Sequence, residues 1–282
     1  MQTSKDFEWV IVDDGSDDTT QQLVNEFIGE GKVIIRYFFQ AHGGMHRAMN
    51  RCVKEAKGEW LFKIDSDDYI IPTAISWLES KIKLLAGNDS IAVISGCRCN
   101  TKGVSWVRGF HEYSITTSVT DLVFHKKIKG EFAECFRGSI LRAYPWPEFE
   151  GEYYCPFSVI LYRIARDGYK FKYYNEHIMV SEYLPGGLHK MGNKKYVSSP
   201  VGSCLSTCEK VHLDIPLRDK MANAKQYWFF YNFKSLEKKP WIGIKWIWLF
   251  PWGYFRYLKY IGKLKKIVNL RNRFFYLVKL FQ

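Results

Sequence analysis

Two short acidic runs hold the residues best suited to chemistry. The first is "EWVIVDDGSDDTT" (8–20), where Asp13, Asp14, Asp17 and Asp18 crowd behind an apolar, β-branched stretch. The second is "LFKIDSDD" (61–68), which supplies Asp65, Asp67 and Asp68 in the same setting about fifty residues later. Carboxylates gathered in one place repel each other unless a cation lies among them. All-oxygen ligand sets suit Mg²⁺ or Mn²⁺, and Mg²⁺ is commonly held by one or two carboxylates plus substrate phosphates. The chemistry indicated is a cation-bound, phosphorylated ligand.

Helix capping competes with this reading, since Asp14 or Ser16 could cap one helix and Asp67 or Asp68 the next. Capping needs one acid per helix, however, and each run carries several. Two other acidic motifs fail on spacing. A calcium hand starting at Asp13 or Asp14 needs Gly sixth and Glu twelfth. The chain has Asp18 or Thr19, then Val24 or Asn25. An aspartyl-phosphate phosphohydrolase motif at "DSDDY" is excluded by Tyr69.

The elements that must position these acids alternate. Apolar, β-branched runs predict strands over 7–12, 32–38, 59–64 and 90–97, with helices over 20–28, 44–56 and 73–85 between them. Such alternation means βαβ units and a parallel sheet, whose ligands bind outside the carboxyl ends of the strands. If strands 7–12 and 59–64 lie parallel in one sheet, both acidic runs emerge at one edge. Helix 44–56 gathers Met45, Ala48, Met49, Cys52 and Val53 on one face. Beyond Gly96, shorter strands and polar turns run to about residue 145. A helix over 157–167, a strand over 170–174 and a Gly- and Lys-rich loop over 182–195 follow. Helical stretches over 196–209 and 217–236 come last before the tail.

The net charge of +12 is a property of that tail. Between Lys234 and Gln282, twelve Lys or Arg face one acid, Glu237, so the rest of the chain is nearly neutral. The same segment interleaves Trp241, Trp246, Trp248, Trp252, Tyr254, Phe255 and Tyr257 with its basic residues. Trp and Tyr favour the membrane interface, and Lys and Arg favour anionic head groups. An anionic membrane surface is therefore the preferred partner. Nucleic acid, which the same composition could grip, is the weaker reading, and a packed helix pair with a solvated basic face is the third. No segment reaches the roughly 18 apolar residues of a membrane span. Residues 1–8 lack the apolar core of a secretion signal. The seven cysteines form no Cys-x-x-Cys pair, so reduced thiols are expected rather than a zinc site, including at Cys204 and Cys208. The expected location is cytoplasmic, peripheral on the inner face of the cell membrane.

With these residues in view, "FEWVIVDDGSDDTT" and "QAHGGMHRAMNRCVKEAKGEWLFKIDSDDYIIP" (40–72) resemble the nucleotide-sugar half of the family 2, GT-A fold glycosyltransferases. The resemblance is strong over 5–97. It continues more weakly through "FEGEYYCPFSVILYRIARDGYKFKYYNEHIMVSEYLPGGL" (149–188), which is similar to the acceptor half of bacterial members that build surface polysaccharides. It implies an α/β class, GT-A-like α/β/α sandwich with a mostly parallel mixed sheet, followed by a basic, aromatic, helical tail. The implied parts are a nucleotide-sugar half (1–97), an acceptor half of the same domain (98–233) and the membrane-associating tail (234–282). The implied reaction moves a sugar from a nucleotide-diphosphate donor to a saccharide or lipid-linked saccharide acceptor. It depends on Mn²⁺ or Mg²⁺, and many members invert the anomeric centre.

Site roles carry over in the same way. Asp13 would meet the nucleobase and Asp14 would support its turn. Gly43 and Gly44 would allow close backbone approach to the nucleotide. Arg47 would either touch the nucleotide or sit in solvent. Asp65 would face the ribose and share the cation, Asp67 would ligate the cation directly, and Asp68 would cap a helix. Glu152 best fits the catalytic base, with Glu150 next, although Tyr153 stands where the common acidic pair has its second acid. Family members also carry a strand–helix unit ahead of the part that matches "QTSKDFEW". The chain is expected to lack that unit, leaving neighbouring strands with unpaired backbone groups. The alternative function is therefore a non-catalytic protein of this fold that acts as a partner at the membrane surface.

Overall fold

A computed structural model describes residues 2–182, 194–231 and 251–259. Strands β1 (Glu8–Asp13) and β2 (Ile34–Phe39) pair in parallel, with Glu8 opposite Ile34 and Asp13 opposite Phe39. Helix α1 (Thr20–Gly29) is their crossover, as parallel neighbours require. Helix α2 (Met45–Glu55) follows and packs against β1. Its Met49 and Val53 reach the main core, as the spacing of its apolar residues predicts.

The remaining strands build a second, six-stranded sheet. Its order is β3 (Trp60–Phe62), β7 (Phe132–Arg137), β5 (Ile91–Cys99), β8 (Lys170–Ser181) and β4 (Asp68–Ile70), with β6 (Ser114–Thr117) also on β8. The sheet is mixed: β5 and β8 are parallel, and the other four pairings are antiparallel. Every residue of β5 is buried, which makes it the spine of the core. Among the described residues β1 and β3 do not share a sheet, so the two acidic runs are not brought together by strand pairing. Each of these strands has one edge occupied, by β2 and β7 respectively. Other contacts join the two sheets. The Thr3 N–H donates to the Pro72 carbonyl at 2.9 Å, and the Gln2 amide donates to the Ile71 carbonyl at 2.8 Å, just ahead of α3 (Ala74–Leu84).

Past β7 come α4 (Gly138–Ala143) and α5 (Ser158–Arg166), whose Val159, Ile160, Leu161 and Ile164 fill the core. Strand β8 outruns its expected end at Tyr174. The polar Asn175–Glu176–His177 step is absorbed as an irregularity in register against β5. The helix expected over 196–209 is two helices, α6 (Lys194–Ser198) and α7 (Pro200–His212). Proline disfavours a helical predecessor yet opens a helix well, so Pro200 ends one and starts the next. Helix α8 (Leu217–Tyr231) packs on α7. A helical stretch over 251–259 rests on α8, where a side chain at Gly253 would come within 2.9 Å of the Ala224 backbone.

Residues 183–193, most of the loop expected over 182–195, and most of the tail, including Trp241, Trp246 and Trp248, lie outside the described residues. Among the described residues no helix is long and apolar enough to cross a membrane.

Candidate active site

The first acidic run forms a built turn. Asp13, the last residue of β1, is buried and accepts hydrogen bonds from the Tyr37 hydroxyl at 2.6 Å and the Ser16 N–H at 2.8 Å. Burial opposes its ionisation, but these hydrogen bonds prevail and hold its carboxyl below the usual range. Burial and the Asp13 carboxylate together push the Tyr37 phenol up to about 12. Asp14 turns the other way and organises the segment before α2. Its carboxylate accepts from the Gln40 amide at 2.7 Å, the Gly43 N–H at 2.9 Å and the Gly44 N–H at 2.7 Å. His42 lies 3.0 Å from the same carboxylate.

An anion at this position is favoured by the α2 dipole. Asp14 therefore supports the Gly-Gly turn, and neither Asp14 nor Ser16 caps α1. That helix opens behind Thr19, with Asp18 accepting from the Thr20 N–H at 2.9 Å. Gly44 sits at φ +92°, where a Cβ would lie 2.0 Å from the Tyr153 carbonyl oxygen. The Tyr153 ring in turn stacks on His42, with centroids 5.1 Å apart. The close approach at Gly44 is thus to another part of this chain.

Arg47, expected either at the nucleotide or in solvent, has partners within the chain. It donates to the Phe149 carbonyl at 2.8 Å and pairs with Glu148 at 3.3 Å, which ties α2 to the loop after α4. Asn50 reinforces the tie through the Trp146 carbonyl at 2.9 Å and Glu148 at 2.8 Å. Residues 146–157 then pass from the first acidic run to the second. Trp146 stacks on Phe157, and the Phe157 ring faces the Lys63 ammonium at 5.4 Å.

The second run is held by buried cations. The Lys63 Nζ lies 2.5 Å from each oxygen of Asp65. Arg98 on β5 reaches Asp68 at 2.6 Å and Asp65 at 3.5 Å. Burial opposes ionisation of Asp65, yet Lys63 and then Arg98 hold its carboxyl below the usual range. For Asp68 burial wins over Arg98 and pushes the carboxyl up. Asp68 is not the helix cap expected from the resemblance. It opens β4, and α3 begins behind Thr73. Asp67 is exposed, and among the described residues it makes no hydrogen bond or ion pair.

Glu134 was not visible as a site residue, because no motif frames it. It stands on β7 beside Lys63, whose N–H donates to the Glu134 carbonyl at 3.2 Å. Burial pushes its side-chain carboxyl up to about 7 against the pull of Arg98 and Lys63. The available signal was a charge inside an apolar strand, in "FAECF" as in "LFKI" and "SGCRC". His46 likewise has no motif around it. It is buried on α2, among the described residues neither ring nitrogen has a hydrogen-bond partner, and burial lowers its pKa.

Glu152, the expected base, is anchored to a distant part of the chain. It is buried, and its two oxygens accept from the Val201 N–H at 2.6 Å and the Gly202 N–H at 2.9 Å, in the first turn of α7. A general base needs a lone pair within reach of the substrate proton; one lone pair on each Glu152 oxygen serves the α7 N-terminus. Glu150 is exposed on the same loop and makes no hydrogen bond or ion pair among the described residues.

Among the described residues no three His, Cys, Asp or Glu side chains converge as a metal cage. The donor set is one unpaired carboxylate, Asp67, beside two that are already neutralised. That fits Mg²⁺ or Mn²⁺ carrying phosphate and water as its other ligands.

This architecture is the GT-A-like α/β fold. It aligns with TarS 1–349 of Staphylococcus aureus in complex with UDP-GlcNAc at a TM-score of 0.56 and 18% identity, covering 82% of this chain and 64% of that one. A mannosyltransferase from Pyrobaculum calidifontis, PcManGT, in complex with GDP-Man and Mn²⁺, aligns at 0.50 and 14% identity, covering 96% and 74%. Residues 1–140 match the sequence profile of glycosyl transferase family 2, and that part of the chain is a family 2 glycosyltransferase domain. Chondroitin synthase of Pasteurella multocida is 38% identical over 74 residues, 26% of this chain and 8% of that protein. The poly(ribitol-phosphate) beta-N-acetylglucosaminyltransferase TarS is 37% identical over 65 residues, 23% of this chain and 11% of that protein. The matched stretches are thus small parts of these relatives.

Proposed function

We propose that the chain transfers a sugar from a nucleotide-diphosphate donor to a hydroxyl of a saccharide or lipid-linked saccharide acceptor, by an inverting displacement. The observation that carries this reading is the pair of prepared acidic sites. Asp14 fixes the Gly43–Gly44 turn, and Asp67 stands unpaired among the described residues, beside Asp65 and Asp68, which Lys63 and Arg98 pair. Fold neighbours in complex with UDP-GlcNAc and with GDP-Man plus Mn²⁺ support the choice of donor class. Asp13, fixed by Tyr37 and Ser16, would receive the nucleobase, and Asp65 would face the ribose.

Asp67 would hold the divalent cation, which when bound offsets charge on the departing diphosphate. With Glu152 committed to α7, the base role falls to Glu150. Glu150→Gln should then cut turnover by about 10²-fold with donor affinity nearly intact. Full turnover in that variant would remove Glu150 from the mechanism. The donor reading itself is tested by calorimetry of UDP and GDP binding with Mn²⁺ and with chelator. Cation-dependent binding of at least one supports it, and binding of neither overturns it.

The acceptor side is read as a membrane surface. On the helical stretch 251–259, Trp252 is 60% exposed, Phe255 67% and Leu258 45%. They recur at helical spacing beside Arg256 and Lys259, on a helix held to α8 by Gly253 and by the Tyr254–Trp228 contact. Each basic residue near an anionic surface contributes on the order of 1 kcal/mol, and inserted aromatics add to it. The full chain should pellet with anionic vesicles at low salt and much less with neutral ones, whereas a chain ending at Phe233 should stay in solution. Pelleting that ignores lipid charge, or survives tail removal, would contradict this and leave the aromatic helix as packing only.

A further inference from the structure

The second acidic run places Asp65, Asp67 and Asp68 within four positions of the chain, yet among the described residues only Asp67 has no basic side chain paired with it. Lys63 engages both oxygens of Asp65 at 2.5 Å, and its own side chain is only 8% exposed. The Phe157 ring under the ammonium, 5.4 Å from Nζ to centroid, favours the position electrostatically. Arg98 is equally enclosed and acts as a hub. Its Nε donates to the Phe132 carbonyl on β7 at 2.9 Å. One terminal nitrogen meets Asp68 at 2.6 Å, Asp65 at 3.5 Å and the Ser181 hydroxyl on β8 at 3.5 Å.

The two cations therefore do more than balance charge. Each oxygen they occupy is one that a metal would otherwise take, and the strands they bridge fix where the motif's backbone runs. Among the described residues, a divalent ion approaching this run alone meets one carboxylate that no basic side chain pairs. Hard cations held by so few protein oxygens draw the rest of their ligands from phosphates and water.

Building on the sugar-transfer reading, we infer that Lys63 and Arg98 are positioning residues. They hold Asp65 and Asp68 as internal ion pairs, so that Asp67 alone meets the divalent cation and the cation enters with the donor diphosphate. The free protein is thus a poor metal binder by construction, and Asp65 is kept for the sugar ring of the nucleotide rather than for the metal.

The test follows Mn²⁺ binding to the full chain by electron paramagnetic resonance, first alone and then with UDP, in wild type, Lys63→Met and Lys63→Arg. Wild type should bind Mn²⁺ weakly alone and tightly with UDP. Lys63→Met frees Asp65 as a second ligand, so its affinity for Mn²⁺ alone should rise about tenfold or more. Lys63→Arg restores the pair and should return to wild-type behaviour. Unchanged Mn²⁺ affinity in Lys63→Met overturns the inference.

A second readout needs no metal. In urea unfolding, the Lys63→Met and Asp65→Asn double-mutant cycle should give a coupling of about tenfold in the unfolding constant, or roughly 1.4 kcal/mol. Absence of coupling also overturns it. If the coupling is present but no variant binds Mn²⁺ with or without UDP, the sugar-transfer reading and the cation half of this inference fall together, and the ion pair stands.

Discussion

Asp67→Ala should abolish cation-dependent nucleotide binding, while Asp17→Ala should leave it unchanged. The two residues are well matched for this comparison, because both are exposed aspartates in acidic runs. They differ in setting. Asp67 lies between two carboxylates that Lys63 and Arg98 already hold, and it is the one of the three with an unused ligand face. Asp17 lies in the turn beyond Ser16 and contacts nothing that organises the Gly43–Gly44 segment. In the proposed site Asp67 is the single unpaired carboxylate among the described residues, so its removal would leave the cation only phosphate and water. The expected loss in nucleotide affinity with Mn²⁺ is about 10²-fold or more, at the upper end of what even indirect metal partners cost. Neither change should move stability by more than about 0.5 kcal/mol, since both side chains are in solvent. Equal losses in the two variants would mean a diffuse acidic patch rather than a site.

The second large effect is expected at Gly44. Its φ of +92° is a conformation that side chains resist, and a Cβ there would meet the Tyr153 carbonyl oxygen at 2.0 Å and its carbon at 2.6 Å. Backbone cannot swing aside as a side chain can, so Gly44→Ala must shift either the turn or the 148–153 loop. Strained φ and overpacking each cost about 1–3 kcal/mol, so a loss of about 3 kcal/mol or more is expected. Gly43 provides the comparison. A Cβ there meets the Arg47 side chain at 2.8 Å, which can give way. Gly43→Ala should therefore cost about 1 kcal/mol or less. Thermal or urea unfolding separates the two outcomes. Equal stability of both variants would mean that the loop does not rest on the turn.

How much of this was legible in the sequence depended on how far apart the interacting residues lie. The rhythm of the first ninety-odd residues was readable because each strand and helix carries its own period. Asp14 enters from the resemblance as support for a turn, and its hold on Gly43 and Gly44, about thirty residues on, shows only in the fold. The anchoring of Glu152 is not legible, because its partners, Val201 and Gly202, lie about fifty residues away, at a helix start marked only by Pro200. Sequence spacing carries no trace of that contact. Lys63 and Arg98 were overlooked for a different reason. A charge inside an apolar strand looks like a solvent-facing position until the strand on each side is known, and both residues are buried. The expectation of one sheet joining both acidic runs rested on βα alternation. Alternation fixes that strands run parallel within a unit, but not which units pair.

The most direct test of the account is turnover of donor by the full chain. Release of nucleoside diphosphate from a panel of UDP- and GDP-sugars would be followed with Mn²⁺, with chelator and in Asp67→Ala. The account predicts release from at least one donor that requires the cation and is lost in Asp67→Ala. Release that persists under chelator and is undiminished in Asp67→Ala would contradict it, as would a folded chain that turns over no donor at all.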